Sequence, residues 1–202
     1  MNIKQFQIEK ALTELVSDYC KHPTKYMTEN DIVIQAHKLI QKHVLNTKQK
    51  LSLHSELRPY IFEGDIGIHE MDWNPVDQIN HASKCDLAII DTSSIHWDKT
   101  MKKIVCLHSR KRRKKKLNYW RFLVYPVKAF KAAFEFKMRV RGNLSNIEED
   151  ILKLNLIRCK NSKCLTYMII LDKEASNKNM KTIRAFDREE TMLITHEMCK
   201  KV

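Results

Sequence analysis

Three residues near the middle of the chain have the types and spacing that phosphodiester chemistry needs. Glu135 and Lys137 lie two residues apart in the alternating segment AFEFKMRV, and residues two apart on a β-strand project from the same face. Asp86 stands before the apolar run LAII, so a neighbouring strand would add a second carboxylate. Carboxylates are ligands that Mg²⁺ prefers, and a lysine beside them can orient or activate the attacking water or stabilise developing charge. We therefore predict that Asp86 and Glu135 bind Mg²⁺, with Mn²⁺ as a substitute, and that Lys137 assists.

A simpler interpretation of these residues stays open. Glu135 and Lys137 would also suit an exposed charge pair on one strand face, which contributes little to stability. Asp86 would also suit a cap in the loop before its strand. Weaker candidates for auxiliary roles in the sequence are Asp91, His54 and His69.

The positive charge of the chain is concentrated in one stretch. The formal net charge is +13, and residues 99–141 contain 16 Lys and Arg residues but one acidic residue, Glu135. Such a localised field favours a polyanion, of which nucleic acid is the simplest case; a solvated basic loop is the alternative. The residues that we expect to contact DNA phosphates without reading sequence are Arg110, Lys111, Arg112, Arg113, Lys114, Lys115, Lys116, Arg121 and Arg139.

The elements that must position these residues begin with helices. Apolar residues at helical spacing predict a helix over residues 3–19, and a second helix ends near residue 44. Thr28 and Asp31 indicate a capping box at the start of this second helix. A third helix is predicted over residues 48–58, before a proline.

Strands and helices alternate in the second half of the chain. Residues 86–91 (DLAIID) are typical of a strand buried on both faces, and residues 132–140 alternate as a second strand. An amphipathic helix is predicted over residues 146–157, a buried strand over residues 164–172, and a final helix from about Asp187. This order predicts an α/β protein with a mixed sheet flanked by helices.

The chain resembles the PD-(D/E)XK nuclease superfamily, whose fold is restriction-endonuclease-like. The resemblance rests on Asp86 before LAII and on Glu135-Phe136-Lys137 as the E-x-K element. It also rests on Glu56 as the upstream helix glutamate that many members carry, with Glu63 as a competing candidate. The element order is similar too, because the family core consists of a helix, three antiparallel strands, a helix and a further strand. The similarity covers residues 49–175.

The resemblance implies a fold, an activity and a set of site residues. The fold would be a restriction-endonuclease-like mixed sheet flanked by helices with extra N-terminal helices, and the activity that of a Mg²⁺-dependent DNA endonuclease. Asp86, Glu135 and Glu56 would be the metal ligands, with Lys137 as the fourth catalytic residue. Residues 1–48 would form a helical region packed on the core, and residues 49–202 the nuclease-like core with a basic insertion around 99–121. A homodimer is implied because many such enzymes cut both strands.

A second function stays open. A nucleic-acid-binding module could keep this fold without catalysis and serve with protein partners in a larger transposition, repair or defence complex. Its binding would be salt-sensitive and indifferent to Glu135.

Several other classes are disfavoured. No apolar run approaches the roughly 18 to 20 residues that span a bilayer, and the first residues lack a signal-peptide pattern, so we expect a cytoplasmic protein with reduced cysteines and no membrane partner. P-loop, dinucleotide-binding and G-x-S-x-G motifs do not occur in the sequence. A zinc or iron–sulfur site is a weak alternative because its cysteine pair is widely spaced. Its residues would be Cys159, Cys164, His196 and Cys199.

Overall fold

The computed structural model describes residues 5–45, 51–60, 84–92, 124–186 and 191–195, and the structural statements below concern these ranges. Several predictions lie outside them. They concern Glu63, His69, Arg110 to Lys116, Arg121, His196 and Cys199.

The described ranges contain four α-helices and six strands. The helices are α1 (Gln5–Lys21), α2 (Glu29–His43), α3 (Leu144–Lys160) and α4 (Asn177–Phe186). The strands are β1 (Leu51–Tyr60), β2 (Cys85–Asp91), β3 (Val124–Pro126), β4 (Phe130–Lys137), β5 (Leu165–Ile170) and β6 (Met192–Thr195).

The strands form one mixed sheet in the order β3-β1-β2-β4-β5-β6. The pairs β1–β2 and β2–β4 are antiparallel, whereas β1–β3, β4–β5 and β5–β6 are parallel. The succession α2, β1, β2, β4, α3, β5 is a helix, three antiparallel strands, a helix and a further strand. The predicted fold class is confirmed: a restriction-endonuclease-like mixed sheet flanked by helices, with helices N-terminal to the sheet.

Hydrophobic clusters cover both faces of the sheet. On one face, α1 and α2 pack against side chains that include Leu87, Phe134 and Tyr167, and the rings of Phe134 and Tyr167 stack with centroids 5.2 Å apart. On the other face, α3 and α4 pack against side chains that include Ala133 and Met168. Because both faces are buried, the central strands are apolar nearly throughout.

Two of the predicted helices are wrong. Residues 51–58 of the predicted third helix instead belong to β1, which pairs along most of its length with β2. In place of the final helix predicted from about Asp187, residues 192–195 form β6, which pairs in parallel with β5. The helix of this region, α4, lies earlier at residues 177–186. In both cases pairing within the sheet determined the structure more strongly than local helical pattern.

The alternating strand is shorter than predicted. β4 ends at Lys137 instead of continuing to residue 140. Met138 therefore packs towards the cluster of α1 and α2, whereas Val140 belongs to the cluster of α3 and α4. The turn that follows includes Gly142, whose φ of 82° lies in the left-handed region that glycine tolerates.

The start of α2 has the predicted capping box. The Asp31 backbone N–H donates to Thr28 Oγ1 at 3.3 Å, and the Thr28 backbone N–H donates to Asp31 Oδ2 at 2.8 Å. Hydrogen bonds that the Thr28 backbone N–H and then the Thr28 hydroxyl donate to the carboxylate lower the pKa of Asp31. The box fixes the N-terminus of the helix whose first residue, Glu29, approaches the candidate site.

We expect Thr28→Ala to lower the free energy of unfolding by about 1 kcal/mol, because a helix N–H loses its acceptor. Urea denaturation measures the change. Thr28→Ser keeps the hydroxyl and should remain close to the parent. A Thr28→Ala protein as stable as the serine variant would contradict the prediction.

Candidate active site

Strands β2 and β4 bring three of the predicted catalytic residues together. Their antiparallel register pairs Leu87 with Phe134, and continuing it by one residue places Asp86 opposite Glu135. Asp86 Oδ2 accepts a hydrogen bond at 2.8 Å from the backbone N–H of Phe136, the residue between Glu135 and Lys137. Asp86 is therefore held against the E-x-K segment.

Glu135 lies on the face of the sheet that α3 covers. Its side chain follows that of Ala133 on the pleat, and it is only 1% exposed. Its Oε1 lies 2.6 Å from Nζ of Lys153, a buried residue of α3. Lys153 is not among the site residues predicted from the sequence.

The Lys153 ammonium is surrounded by oxygen atoms. Besides Glu135, it donates to Asp150 Oδ1 at 2.9 Å and to the backbone carbonyl of Lys84 at 2.9 Å. An ammonium group has three N–H donors. Two of them are used in these hydrogen bonds, whereas Glu135 Oε1 lies at ion-pair distance and has no hydrogen bond among the described residues.

Burial and charge act against each other on this pair. Burial raises the pKa of the Glu135 carboxyl well above its ordinary value; the Lys153 ammonium opposes the shift, and Asp86 and Asp150 add to it. Burial acts to lower the pKa of Lys153. The negative charges of Glu135, above all, and of Asp150 outweigh burial, so the pKa of Lys153 is raised. Lys153 therefore remains a cation and compensates the charge of Glu135 where water is excluded.

Lys137 is held as a second cation beside the first. Its Nζ lies 2.9 Å from Asp150 Oδ2 and 3.9 Å from Glu29 Oε2 at the start of α2. Burial works to lower the pKa of Lys137, but Asp150 and then Glu29 raise it overall. A permanently charged lysine suits stabilisation of negative charge better than removal of a proton from water.

We call these five residues the carboxylate–lysine cluster. Its members are Asp86, Glu135, Lys137, Asp150 and Lys153. Asp150 links the two lysines because each of its oxygens faces one of them. The cluster lies where the end of β4 meets α3.

Glu56 is placed differently from the prediction. It lies on β1 and not on a helix, its side chain is 71% exposed, and its carboxylate pairs with Lys84 Nζ at 2.6 Å. Its φ of 53° lies in the left-handed region, which costs of the order of 1 to 3 kcal/mol for a residue other than glycine. Among the described residues, no hydrogen bond or ion pair joins Glu56 to Asp86 or Glu135. Its role as a metal ligand stays a prediction.

The weaker candidates lie away from the cluster. Asp91 lies at the opposite end of β2 and pairs with Lys131 at 3.3 Å. His54 on β1 shares a hydrogen bond of 2.8 Å with Ser52, and burial lowers the pKa of its imidazole.

The cysteines give little support to a zinc or iron–sulfur site. Cys159 is exposed, whereas Cys164 is buried and burial raises the pKa of its thiol to about 12. Within the described residues, neither belongs to a group of three or more potential metal ligands. Cys20 is disulfide-bonded, so the expectation of reduced cysteines is wrong at that residue.

Sequence reasoning missed Asp150, Lys153 and Glu29. A signal for Lys153 was present, because it interrupts the apolar run ILKLNLI of a predicted amphipathic helix, where a solvated lysine is not expected. Its spacing of three from Asp150 also places both on one side of the helix. No local pattern marked Glu29, which approaches Lys137 only through the packing of α2.

The donor atoms of the cluster fit Mg²⁺ in kind. Mg²⁺ is usually bound through one or two carboxylates, with water and substrate phosphates completing its shell, and Asp86 and Glu135 supply two carboxylates. Within the part of the chain that the structure describes, no group of three or more His, Cys, Asp and Glu side chains is placed to hold a metal ion. Lys153 lies between two of the carboxylates, 2.6 Å from Glu135 Oε1 and 2.9 Å from Asp150 Oδ1.

Of the phosphate contacts that were predicted, Arg139 lies in the described ranges. It is exposed and follows the end of β4, two residues after Lys137, and Arg141 beyond it is exposed as well. This edge of the cluster therefore carries positive charge that solvent can reach. None of the helices in the described ranges is both long enough and apolar enough to cross a membrane.

Comparison with known proteins gives one structural similarity. No protein-family model matches the chain, and no curated protein matches it. The solved structure of P. aeruginosa ATCC27853 NucC in its cAAA-bound form is similar to this chain with a TM-score of 0.47 and 8% sequence identity, over 92% of this chain and 72% of the NucC chain. Because the TM-score is below 0.5, nothing is transferred from NucC to this chain.

Proposed function

We propose that this chain is a metal-dependent DNA endonuclease of the PD-(D/E)XK type. The observation that supports it most is the convergence of Asp86, Glu135 and Lys137 at one end of β2 and β4. A carboxylate pair next to a fixed cation is the minimum set for metal-assisted phosphodiester hydrolysis. The resemblance of the E-x-K segment and the order of the elements point the same way.

Each residue of the site has a proposed role. Asp86 and Glu135 hold Mg²⁺, or Mn²⁺ in its place, and the ion when bound polarises the phosphate and lowers the pKa of a bound water. Lys137, which Asp150 fixes in position, places positive charge where the phosphate develops negative charge. Glu56 is a third ligand in this proposal and would have to release Lys84 to reach the ion.

DNA is the proposed substrate because of charge. The net charge of +13 is concentrated in residues 99–141, and the exposed Arg139 and Arg141 follow Lys137 of the cluster by two and four residues. Phosphate contacts of this kind strengthen binding without reading sequence. A homodimer, with or without protein partners, follows from the resemblance alone.

One observation favours a second function, that of a nucleic-acid-binding module without catalysis. Glu135 is almost fully buried and already neutralised by Lys153 at 2.6 Å. A carboxylate held in this way is not free to bind an ion. In that case the basic surface would bind nucleic acid and the cluster would be structural.

Cleavage of supercoiled plasmid and branched DNA in Mg²⁺ or Mn²⁺ tests the proposal, with EDTA as a blank and DNA binding measured on the same samples. Asp86→Asn is the informative variant, because the amide oxygen can still accept from Phe136 while the charge is lost. Asp91→Asn, at the other end of β2, is the matched control. The nuclease proposal predicts that only Asp86→Asn loses cleavage and that both variants bind DNA. Binding by the parent without cleavage of any substrate would favour the binding module.

A further inference from the structure

The Lys153 ammonium lies among oxygen atoms of the kind that bind metal ions. Its partners are Glu135 Oε1 at 2.6 Å, Asp150 Oδ1 at 2.9 Å and the Lys84 carbonyl at 2.9 Å. Carboxylate and carbonyl oxygens are also the ligands of hard divalent ions. The lysine is only 5% exposed, so bulk water cannot readily replace it.

We propose that Lys153 is a positioning residue that controls metal affinity, because its ammonium and the divalent ion compete for the carboxylate of Glu135. The inference rests on the proposed function, since it concerns the same metal site. For Glu135 to hold an ion, its carboxylate would have to be shared with Lys153 or released by it. Lys153 therefore keeps the affinity of the site for metal low while it is paired with Glu135.

The charges of the cluster support this competition. Three carboxylates, those of Asp86, Glu135 and Asp150, face two ammonium groups, those of Lys137 and Lys153. With all five groups ionised, the cluster therefore carries one net negative charge before a metal binds. Without Lys153 three carboxylates would face one cation, and a divalent ion would compensate the excess.

The proposal gives Lys153 and Lys137 different roles although both contact Asp150. Lys137 contacts Asp150 and Glu29 but has no ion pair with Glu135 among the described contacts. Lys153 binds the proposed ligand itself. Removing Lys153 should therefore change metal affinity, whereas removing Lys137 should change mainly the rate of cleavage.

Mn²⁺ titration without DNA tests this role, with free Mn²⁺ followed by electron paramagnetic resonance. Lys153→Met should lower the Kd for Mn²⁺ by about 10- to 100-fold. Removing a group that supports a metal ligand weakens binding by a factor of this size, and removing a competitor should act in the opposite direction. Lys153→Arg keeps the charge and should bind as weakly as the parent. Lys160→Met, an exposed position of the same helix, is the matched control.

A Glu135→Gln/Lys153→Met protein should lose the gain in affinity, which locates the ion at Glu135. If Lys153→Met does not fold, Lys153→Gln replaces it, because the amide keeps a donor for Glu135 without the charge. A Kd for Mn²⁺ that is the same in the parent, the uncharged Lys153 variant and Lys160→Met would overturn the inference.

The two proposals fail in different ways. Glu135-dependent Mn²⁺ binding in the Lys153 variant, with no cleavage by any form of the protein, would support the competition and reject the nuclease. Cleavage by the parent with no change of affinity in the Lys153 variant would support the nuclease and reject the competition.

Discussion

Lys137→Met is expected to lower the rate of Mg²⁺-dependent cleavage by about 10²- to 10³-fold, the loss typical when one group that stabilises developing charge is removed. Methionine has a similar length but no charge, so packing at the end of β4 changes little. Asp150, which faces Lys137 at 2.9 Å, keeps its second partner Lys153. Single-turnover cleavage with protein in excess measures the rate separately from DNA binding.

Lys131→Met is the matched control for this prediction. Lys131 lies on the same strand, six residues earlier and therefore on the same face, and pairs with Asp91 at 3.3 Å. It lacks contact with the cluster in the described structure, so its removal should leave the rate within a few-fold of the parent. Equal losses in both variants would indicate a general effect of charge on DNA binding, and an unchanged rate in Lys137→Met would remove the lysine from the mechanism.

The fold could be predicted where local pattern and tertiary structure agree. The helices α1, α2 and α3 have apolar residues at helical spacing, and the run DLAIID is apolar because both sheet faces are covered. The prediction for the segment of β1 (LSLHSEL) was wrong although the segment alternates, because its length before a proline also suits a helix. Its pairing with β2 decided the outcome, and such non-local pairing is not visible in a single segment.

The candidate site was predictable only in part, and for a related reason. Asp86, Glu135 and Lys137 follow from strand periodicity and neighbouring strands. Lys153 reaches Glu135 across the interface between α3 and the sheet, and periodicity does not determine such a contact. The alternation of β4 predicts that Glu135 and Lys137 project from the same face, but it does not reveal that α3 covers Glu135 on that face.

Loss of one partner of the buried ion pair should be the largest effect on stability. We expect Lys153→Ala to lower the free energy of unfolding by about 3 to 5 kcal/mol, because it leaves the carboxylate of Glu135 buried without a counter-ion. Burial already raises the pKa of Glu135, and the loss of Lys153 removes the group that opposes this shift. Urea denaturation at neutral pH measures the change, and Lys160→Ala, on the exposed part of α3, should stay within about 0.5 kcal/mol of the parent.

Replacing both partners should restore most of that stability. A Glu135→Leu/Lys153→Met protein fills a similar volume with apolar side chains and leaves no unpaired charge, so its stability should equal or exceed that of the parent. The result separates two contributions of the pair. Recovery in the double variant would mean that the fold does not require these charges, so that their value lies in the chemistry of the site. A double variant as unstable as Lys153→Ala would mean instead that Asp150 and the Lys84 carbonyl depend on the ammonium, and that the pair is part of the structural core.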